Sequence, residues 1–236
     1  MDSSLVHTPI HSDWIAHMSF AKWLTKTKKP EKILDLGTYK GCSALAFGAH
    51  KIGDVYTVDK EIDDRTKEIL TDAGIEYRVS LFKDVVDLVE DGSLDILHID
   101  GSHILEDVTE DVINFVPKLK KDGILLMHDT WNPAFYGPLS LFIKGVTGNK
   151  LMFLKGYGLG IATTDNDMYN EIYKTFHKEL VVGDMLSDLL LYVERKNTWL
   201  KMLSESSVRE QAVKDLNTKT DLLSTVSLLP LEQSSS

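Results

Sequence analysis

Residues 32–43 read KILDLGTYKGCS, and this stretch decides the fold class. The apolar run Lys32–Leu36 predicts a strand, and the segment Ser43–His50 after it predicts a helix. Gly37 and Gly41 stand in the turn between them, where glycine lets the backbone bend tightly and approach a ligand near the free amides of the helix start. The stretch therefore predicts the first strand–turn–helix unit of an α/β domain, with a ligand site at the turn.

Short apolar runs continue along the chain and alternate with longer amphipathic segments. This pattern is typical of repeated βα units around a mostly parallel sheet. Five parallel strands and a closing hairpin are predicted, at Lys32–Leu36, Asp54–Val58, Glu76–Val79, Asp95–Ile99, Gly123–Met127, Lys150–Leu154 and Leu159–Thr163. The predicted fold is a Rossmann-like, doubly wound, seven-stranded and mostly parallel sheet with helices on both faces and extra helices at both ends of the chain.

Four regions are expected along the chain. Residues 1–24 contain the amphipathic segment His11–Leu24 and are predicted to form a helical lid, while residues 25–165 form the ligand-binding α/β domain. Residues 166–203 are predicted to form further helices. Residues 204–236 are rich in Ser and Thr, which predicts a tail that is partly disordered or ordered only in a homo-oligomer.

The composition restricts the expected compartment and partners. The chain has 236 residues, a formal net charge of −10 and a pI near 5.2. Nucleic acid and anionic membranes would repel such a surface, so a small-molecule or glycan acceptor is the expected partner. The single cysteine, Cys42, and the lack of an 18-residue apolar run or a leader-like N-terminus predict a soluble protein of the cytoplasm.

The turn after the first strand favours a ligand that presents no phosphate to it. Its two glycines stand four positions apart, whereas the dinucleotide fingerprint is G-x-G-x-x-G. Asp59 ends the second strand 22 positions after Gly37, near the spacing at which an acidic residue binds a ribose hydroxyl. The expected partner of Asp59 is an adenosyl ribose. The alternative is that Gly37 and Gly41 only shape the turn and that Asp59 caps the next segment.

A second group of polar residues follows the fourth and fifth predicted strands. Asp100 and Asp129 come directly after these strands, and carboxyl ends of neighbouring parallel strands lie side by side, so both carboxylates are expected in one crevice. A hard divalent cation such as magnesium would offset their repulsion, orient an acceptor hydroxyl and lower its pKa. His103 is the predicted general base because an imidazole titrates near neutral pH.

Structural roles compete with these catalytic ones. His103 is alternatively a helix-capping or solvated residue, and His98, inside a strand, is favoured as a hydrogen-bonded core residue. Trp14 and His17 are expected to pack in the core. Residues 131–137 read WNPAFYG and either receive a sugar ring or pack their own aromatic side chains.

The chain resembles the class I S-adenosylmethionine (SAM)-dependent methyltransferases through Ile33–Gly41 and the acidic end of the following strand. The resemblance covers roughly Trp14–Thr163 and implies SAM as the cofactor. It implies that the cofactor loop surrounds the methionine half, that an acidic residue holds the ribose and that the turn after the third strand borders the adenine. The residues carried over are Asp35, Gly37, Thr38, Gly41 and Ser43 for the methionine half, Asp59 for the ribose, and Phe82 or Lys83 for the adenine.

Residues 95–103 and 119–130 are similar to a subgroup that includes macrolide-sugar O-methyltransferases and cephalosporin-hydroxylase-like proteins. This resemblance implies that Asp100 and Asp129 bind Mg²⁺ or another divalent metal and that His103 is the catalytic base. The macrolide enzymes have a glutamate where this chain has His128, so either His128 is a third ligand that favours metals tolerant of imidazole, or this ligand is absent. The implied reaction is methylation of a hydroxyl on a sugar or glycosylated small molecule, in glycan or natural-product biosynthesis.

Two other classes of function remain open at this level. The first is an NAD-linked oxidoreductase or epimerase on the same fold, which the incomplete glycine fingerprint disfavours. The second is a non-catalytic scaffold that binds the cofactor and recruits a partner, because a fold does not determine a function.

Overall fold

The computed structural model of the protein describes residues 12–132 and 137–204. The first eleven residues of the predicted lid, four residues of the predicted acceptor segment (133–136) and the predicted tail from residue 205 onward lie outside the described residues. Contacts group the chain into two compact units, Met1–Leu190 and Leu191–Ser236. The sheet and the candidate site belong to the first unit.

Eight strands and seven α-helices make up the described residues. The strands are β1 (Lys32–Leu36), β2 (Asp54–Asp59), β3 (Glu76–Val79), β4 (Leu94–Ile99), β5 (Leu119–His128), β6 (Asn149–Phe153), β7 (Leu159–Thr163) and β8 (Leu180–Val182). The helices are α1 (Met18–Lys28), α2 (Cys42–Gly48), α3 (Asp64–Ala73), α4 (Leu105–Phe115), α5 (Gly137–Lys144), α6 (Asn166–Phe176) and α7 (Asp184–Ser204). A 3-10 helix, Asp13–His17, precedes α1; Ser12 and this helix are called the strap below.

The strands form one sheet in the order β3-β2-β1-β4-β5-β7-β6-β8. The first five strands in this order are parallel. The last three, β7, β6 and β8, each run antiparallel to the strand before them in this order. The order reverses between β1 and β4, and in doubly wound sheets ligands bind at the carboxyl ends of the strands beside this switch point. The predicted Rossmann-like α/β class is confirmed.

The predicted number of seven strands is wrong, because the sheet has eight. The additional strand, β8, lies in the region that was predicted to be helical. It has three residues and pairs only with β6, at the edge of the sheet. A run this short has no readable periodicity, so its pairing partner rather than its own pattern makes it a strand.

The core consists of two apolar layers, one on each face of the sheet. One layer contains Leu24, Phe47 and Phe153, and the other contains Phe115 and Phe142. Every residue of β4 is buried, as expected for a central strand that helices cover on both faces. Among the described residues, no helix combines the length and the apolar composition needed to cross a membrane.

The strap and α1 belong to this core. Trp14 and Phe20 are each 2% exposed and Leu24 is fully buried. His17 is also fully buried, so the prediction that Trp14 and His17 pack in the core is confirmed. The lid function of residues 1–24 stays a prediction.

Gly37 lies directly after β1, where the backbone closely approaches Asp100, the residue directly after β4. Its φ is +115°, and a Cβ atom there would lie 2.0 Å from the carbonyl oxygen of Asp100. The backbone continues the sheet ladder here, since the Gly37 amide donates to Val58 and the Asp100 amide donates to Leu36. Only glycine fits this conformation and this spacing, which explains why the turn motif places a glycine directly after β1.

We expect Gly37→Ala to lower the free energy of unfolding by about 3 kcal/mol, because it combines an unfavourable φ with a backbone clash. Gly74→Ala is the matched control, since Gly74 has a φ of +73° and open space around its Cβ position, and it should cost about 1 kcal/mol. Urea unfolding of both variants measures the difference. Equal losses would mean that the contact between β1 and β4 relaxes without cost.

Candidate active site

A cavity of about 1240 Å³ opens at the carboxyl ends of the parallel strands. The strap forms part of its wall, and the rest is formed by the ends of β2 and β5, the loops after β1 to β5, α4 and the loop between β6 and β7. Its lining includes the predicted site residues Asp59, Phe82, Lys83, Asp100, His103, His128 and Asp129. The structure thus brings together seven side chains that end or follow four different strands, β2 to β5.

Asp59 and Phe82 define one end of the cavity. The Asp59 carboxylate accepts a hydrogen bond from the Tyr39 amide at 2.9 Å, which ties the end of β2 to the turn after β1. The Phe82 ring lies against Gly101, where a Cβ atom would be 2.3 Å from the ring. The Phe82 ring therefore fills the space that a side chain at residue 101 would need, and both Phe82 and Lys83 line the cavity.

Five residues predicted to bind the cofactor are not among those that line the cavity: Asp35, Gly37, Thr38, Gly41 and Ser43. Asp35, Thr38 and Ser43 are 0%, 1% and 3% exposed. The carboxyl group of Asp35 accepts from Ser43 at 2.9 Å and from Thr57 at 2.8 Å, and Thr57 in turn pairs with Thr38 at 2.7 Å. These side chains brace the turn from below, so any part they take in binding acts through the backbone of the turn.

Gly37 and Gly41 supply that backbone. Gly41 has a φ of +75° and is the residue before α2. Its amide donates to the carbonyl of Thr38 at 2.6 Å and closes the turn. The two glycines thus give the turn its shape, as the sequence predicts, while the side chain facing the cavity from this turn is Tyr39.

The other end of the cavity carries a compact group of potential metal ligands. One ligand atom each of Asp100, His103 and Asp129 lies within 4.8 Å of the other two. Asp129 has a φ of +55°, a conformation that costs free energy for a residue with a side chain, and Asn132 donates to its carboxylate at 2.8 Å. The predicted crevice with two carboxylates therefore exists. His103, predicted as the base, belongs to the group of potential ligands.

His103 and Asp129 form a close ion pair, with Nε2 and Oδ2 2.6 Å apart. The hydrogen bond that His103 donates to Asp129 raises the pKa of His103 above its ordinary value. Burial alone would raise the pKa of Asp129, but the hydrogen bonds from His103 and His128 outweigh it and hold that pKa well below the usual range. Both shifts favour the charged forms of the two side chains.

His128 lies beneath both carboxylates rather than in the group of potential ligands. Its Nδ1 is 3.1 Å from Asp100 and 3.4 Å from Asp129. Burial lowers the pKa of His128, yet the charges and hydrogen bonds of the two carboxylates dominate and raise it to about 10. An imidazolium at this position offsets the repulsion between Asp100 and Asp129. The prediction that His128 is the third metal ligand stays a prediction.

One wall of the cavity was not predicted. Polar residues of α4 line it at positions three, four and seven residues apart: Asp107, Glu110, Asp111 and Asn114. This spacing places them on one helix face, opposite the apolar face with Val108 and Val112. The apolar spacing of α4 in the sequence also identifies its polar face. An acidic helix face is usually solvent-exposed, however, so this pattern did not indicate a cavity wall.

The comparisons with known proteins agree with this geometry. Residues 34–130 match the sequence model of a family described as Methyltransferase domain. The matched range begins in β1 and ends directly after Asp129, so it includes the turn and all three potential metal ligands. The chain is therefore similar to this methyltransferase family over residues 34–130.

Solved methyltransferase structures share the fold at low sequence identity. A methyltransferase from Geobacter sulfurreducens has a TM-score of 0.52 and 17% identity, over 69% of this chain and 96% of that chain. The O-methyltransferase TomG from Streptomyces achromogenes has a TM-score of 0.51 and 14% identity, over 68% and 92%. An SAH-bound methyltransferase from Podospora anserina has a TM-score of 0.50 and 16% identity, over 62% and 77%. The chain has the class I methyltransferase fold.

A protein of Sinorhizobium fredii, described as uncharacterized, is 34% identical over 141 residues. The match covers 51% of this chain and 15% of that protein. The likeness therefore concerns one region of a much longer chain.

Asp111 should make stability depend on pH. Burial, followed by the charges of Asp107 and Glu110, raises the pKa of Asp111 to about 7. Because the folded pKa lies above the unfolded one, the stabilising effect of the protonated form is present at low pH and is lost as the pH rises from about 4 to about 7. We expect Asp111→Asn to match the wild type near pH 4 and to be more stable by about 1 kcal/mol near pH 8, a value discounted for partial exposure.

Urea unfolding at both pH values tests this expectation. Asp72→Asn, on the exposed surface of α3, is the control and should leave the pH dependence unchanged. A gain for Asp111→Asn that is the same at both pH values would contradict the assigned cause.

Proposed function

We propose that the protein is a SAM-dependent O-methyltransferase that acts on a hydroxyl of a sugar or a glycosylated small molecule with the help of a divalent metal. One observation carries the proposal: Asp59 and the group of Asp100, His103 and Asp129 line the same cavity. A methyl donor at one end and an acceptor hydroxyl at the other would thus share one partly enclosed space.

The first end fits a nucleoside without phosphates. Asp59 offers carboxylate oxygens to a ribose hydroxyl, and Phe82 offers an aromatic face to an adenine. The TomG structure is in complex with SAM, and the Podospora anserina structure is SAH-bound, which supports the same ligand class here. The turn after β1 has glycines for close backbone approach but lacks the fingerprint for a pyrophosphate, which argues against NAD.

The second end fits a divalent cation. Two carboxylates and one imidazole within one small volume are a donor set for Mg²⁺ or, with the imidazole as a ligand, for Mn²⁺ and similar metals. Asp100 and Asp129 would hold the ion, which would supply Lewis acidity towards an acceptor hydroxyl. His128 orients both carboxylates from below through its contact with each of them.

The residues of the chain contribute alignment and proton transfer. SAM supplies an activated methyl group when bound. Methyl transfer needs the acceptor oxygen, the methyl carbon and the leaving sulfur in line, an alignment that the cavity wall would have to impose. His103, at the cavity surface and 37% exposed in its side chain, is the proposed acceptor of the hydroxyl proton, a role that requires it first to release to solvent the proton that it shares with Asp129. A small-molecule or glycan acceptor, location in the cytoplasm and a homo-oligomeric state are further parts of the proposal.

Calorimetric titration with SAM, SAH and NAD tests the cofactor. We expect SAM and SAH to bind and NAD not to bind, and Asp59→Ala should weaken SAM binding at least about tenfold because it removes the ribose partner. Asp54→Ala, at the other end of β2 and outside the cavity wall, is the control. Binding of NAD in place of SAM would contradict the methyltransferase proposal and favour an oxidoreductase or epimerase; binding of neither would favour a scaffold.

Titration with Mn²⁺ separates the role of His103 from the roles of the carboxylates. Asp129→Asn should weaken Mn²⁺ binding at least about tenfold, while His103→Ala should leave it within about threefold and slow SAH formation about a hundredfold with an acceptor found by screening glycosides. Asp107→Asn removes a neighbouring acidic group of the same cavity wall and is the control for charge alone. If His103→Ala weakens Mn²⁺ binding as strongly as Asp129→Asn, His103 is a ligand and the base is another group.

A further inference from the structure

A buried chain of hydrogen bonds connects the strap to the turn after β1. The indole Nε1 of Trp14 donates to Nε2 of His98 at 3.0 Å, and Nδ1 of His98 lies 2.6 Å from Oδ1 of Asp35. Both His98 and Asp35 are fully buried, and Trp14 is 2% exposed. Residues from the strap, β4 and β1 thus meet in one line without solvent.

The chemistry of Trp14 decides the protonation of His98. An indole N–H can only donate, so Nε2 of His98 must accept and carries no proton. Its remaining ring proton is therefore on Nδ1 and is donated to Asp35. His98 is held as the neutral Nδ1–H tautomer by one partner on each side, which makes the two hydrogen bonds mutually dependent.

Asp35 passes this link on to the turn. Its second carboxyl oxygen accepts from Ser43, at the start of α2, and from Thr57 on β2. Thr57 in turn shares a hydrogen bond with Thr38 of the turn. A displacement of Asp35 would therefore move groups on both sides of the turn whose backbone faces the cavity.

The strap is part of the wall of the same cavity. Ser12, Asp13, Trp14 and Ile15 all line it, and the Ile15 side chain is 51% exposed at its surface. The strap has a second contact with the floor of the site, since the ring of His17 stands edge-on to His128 at 5.4 Å between centroids. The position of the strap thus depends on two buried contacts, one with His98 in β4 and one with His128 at the end of β5.

We propose that Trp14 and His98 are positioning residues that couple the strap to the cofactor turn, so that binding of an adenosyl ligand at the turn stabilises the strap in its packed position and the packed strap strengthens that binding. This proposal rests on the proposed function, because it needs SAM or SAH as the ligand at the turn. The physical basis is the mutual dependence of the Trp14–His98 and His98–Asp35 hydrogen bonds. Loss of the indole N–H leaves a buried acceptor without its donor whenever the strap is in place.

The experiment compares the wild type with Trp14→Phe, with SAH as the probe. Trp23→Phe is the matched control. Trp23 is on α1, its ring contacts the rings of Phe20 and Phe176 in the aromatic core, and it is not part of the cavity wall. We expect SAH to slow hydrogen exchange of the strap amides in the wild type and in Trp23→Phe. Trp14→Phe should bind SAH about tenfold more weakly and lose this protection, since the unpaired nitrogen of His98 penalises the packed strap.

A spectroscopic test on the wild type requires no variant. The ¹⁵N signals of the His98 ring should show a protonated Nδ1 and an unprotonated Nε2, and a His98 with its proton on Nε2 would overturn the proposal. Equal SAH affinity and equal strap protection in Trp14→Phe and Trp23→Phe would also overturn it and leave Trp14 as a core residue only. If the wild type binds no SAH, the proposed function fails together with the coupling, whereas binding without any difference between the variants removes the coupling alone.

Discussion

The buried carboxyl group of Asp35 is the constraint on which the arrangement of this site depends. A carboxyl group without contact to water is strongly unfavourable unless donors surround it. Here the donors come from α2, β2 and β4, through Ser43, Thr57 and His98. The hydrogen bonds that Asp35 needs therefore hold β2, β4 and the start of α2 in position around β1. The close approach of Gly37 to the backbone of Asp100 completes this arrangement and brings the carboxyl ends of β1 and β4 together.

The acidic end of the cavity solves a related electrostatic problem with different means. Asp100 and Asp129 stand at the ends of adjacent strands, where their repulsion must be offset. His128 offsets it from below, and His103 pairs with Asp129 at the cavity surface. A divalent cation would compete with the proton of His103 for Asp129 while His128 kept its place under both carboxylates. The two histidines thus have different relations to the proposed metal. His103 would lose its partner Asp129 to the metal or become a ligand itself, whereas His128 would hold the two carboxylate ligands in place.

Much of the site could be predicted because class I folds place function at the ends of strands. Asp59, Asp100 and Asp129 all end or follow strands that the apolar runs revealed, and all three line the cavity. Prediction was weaker where a residue's role depends on a partner distant in sequence. Trp14 and His98 are separated by 84 positions, and nothing in either segment indicates their hydrogen bond. The same holds for Asp111, whose raised pKa results first from burial, which its place in α4 does not reveal, and then from the charges of its α4 neighbours Asp107 and Glu110.

The sequence by itself determined the βα order, the position of the turn and the identity of the residues at the strand ends, since strand and helix periods and glycine requirements are local properties of the chain. Only the tertiary structure decided that Asp35, Thr38 and Ser43 face inward while Tyr39 faces the cavity. It also decided that His103 joins the two carboxylates at the cavity surface while the buried His128 contacts both of them. It also added β8, which exists because β6 offers an edge to pair with. These features depend on distances between segments far apart in the chain, and such distances follow from packing and hydrogen-bond satisfaction across the whole fold rather than from any local pattern.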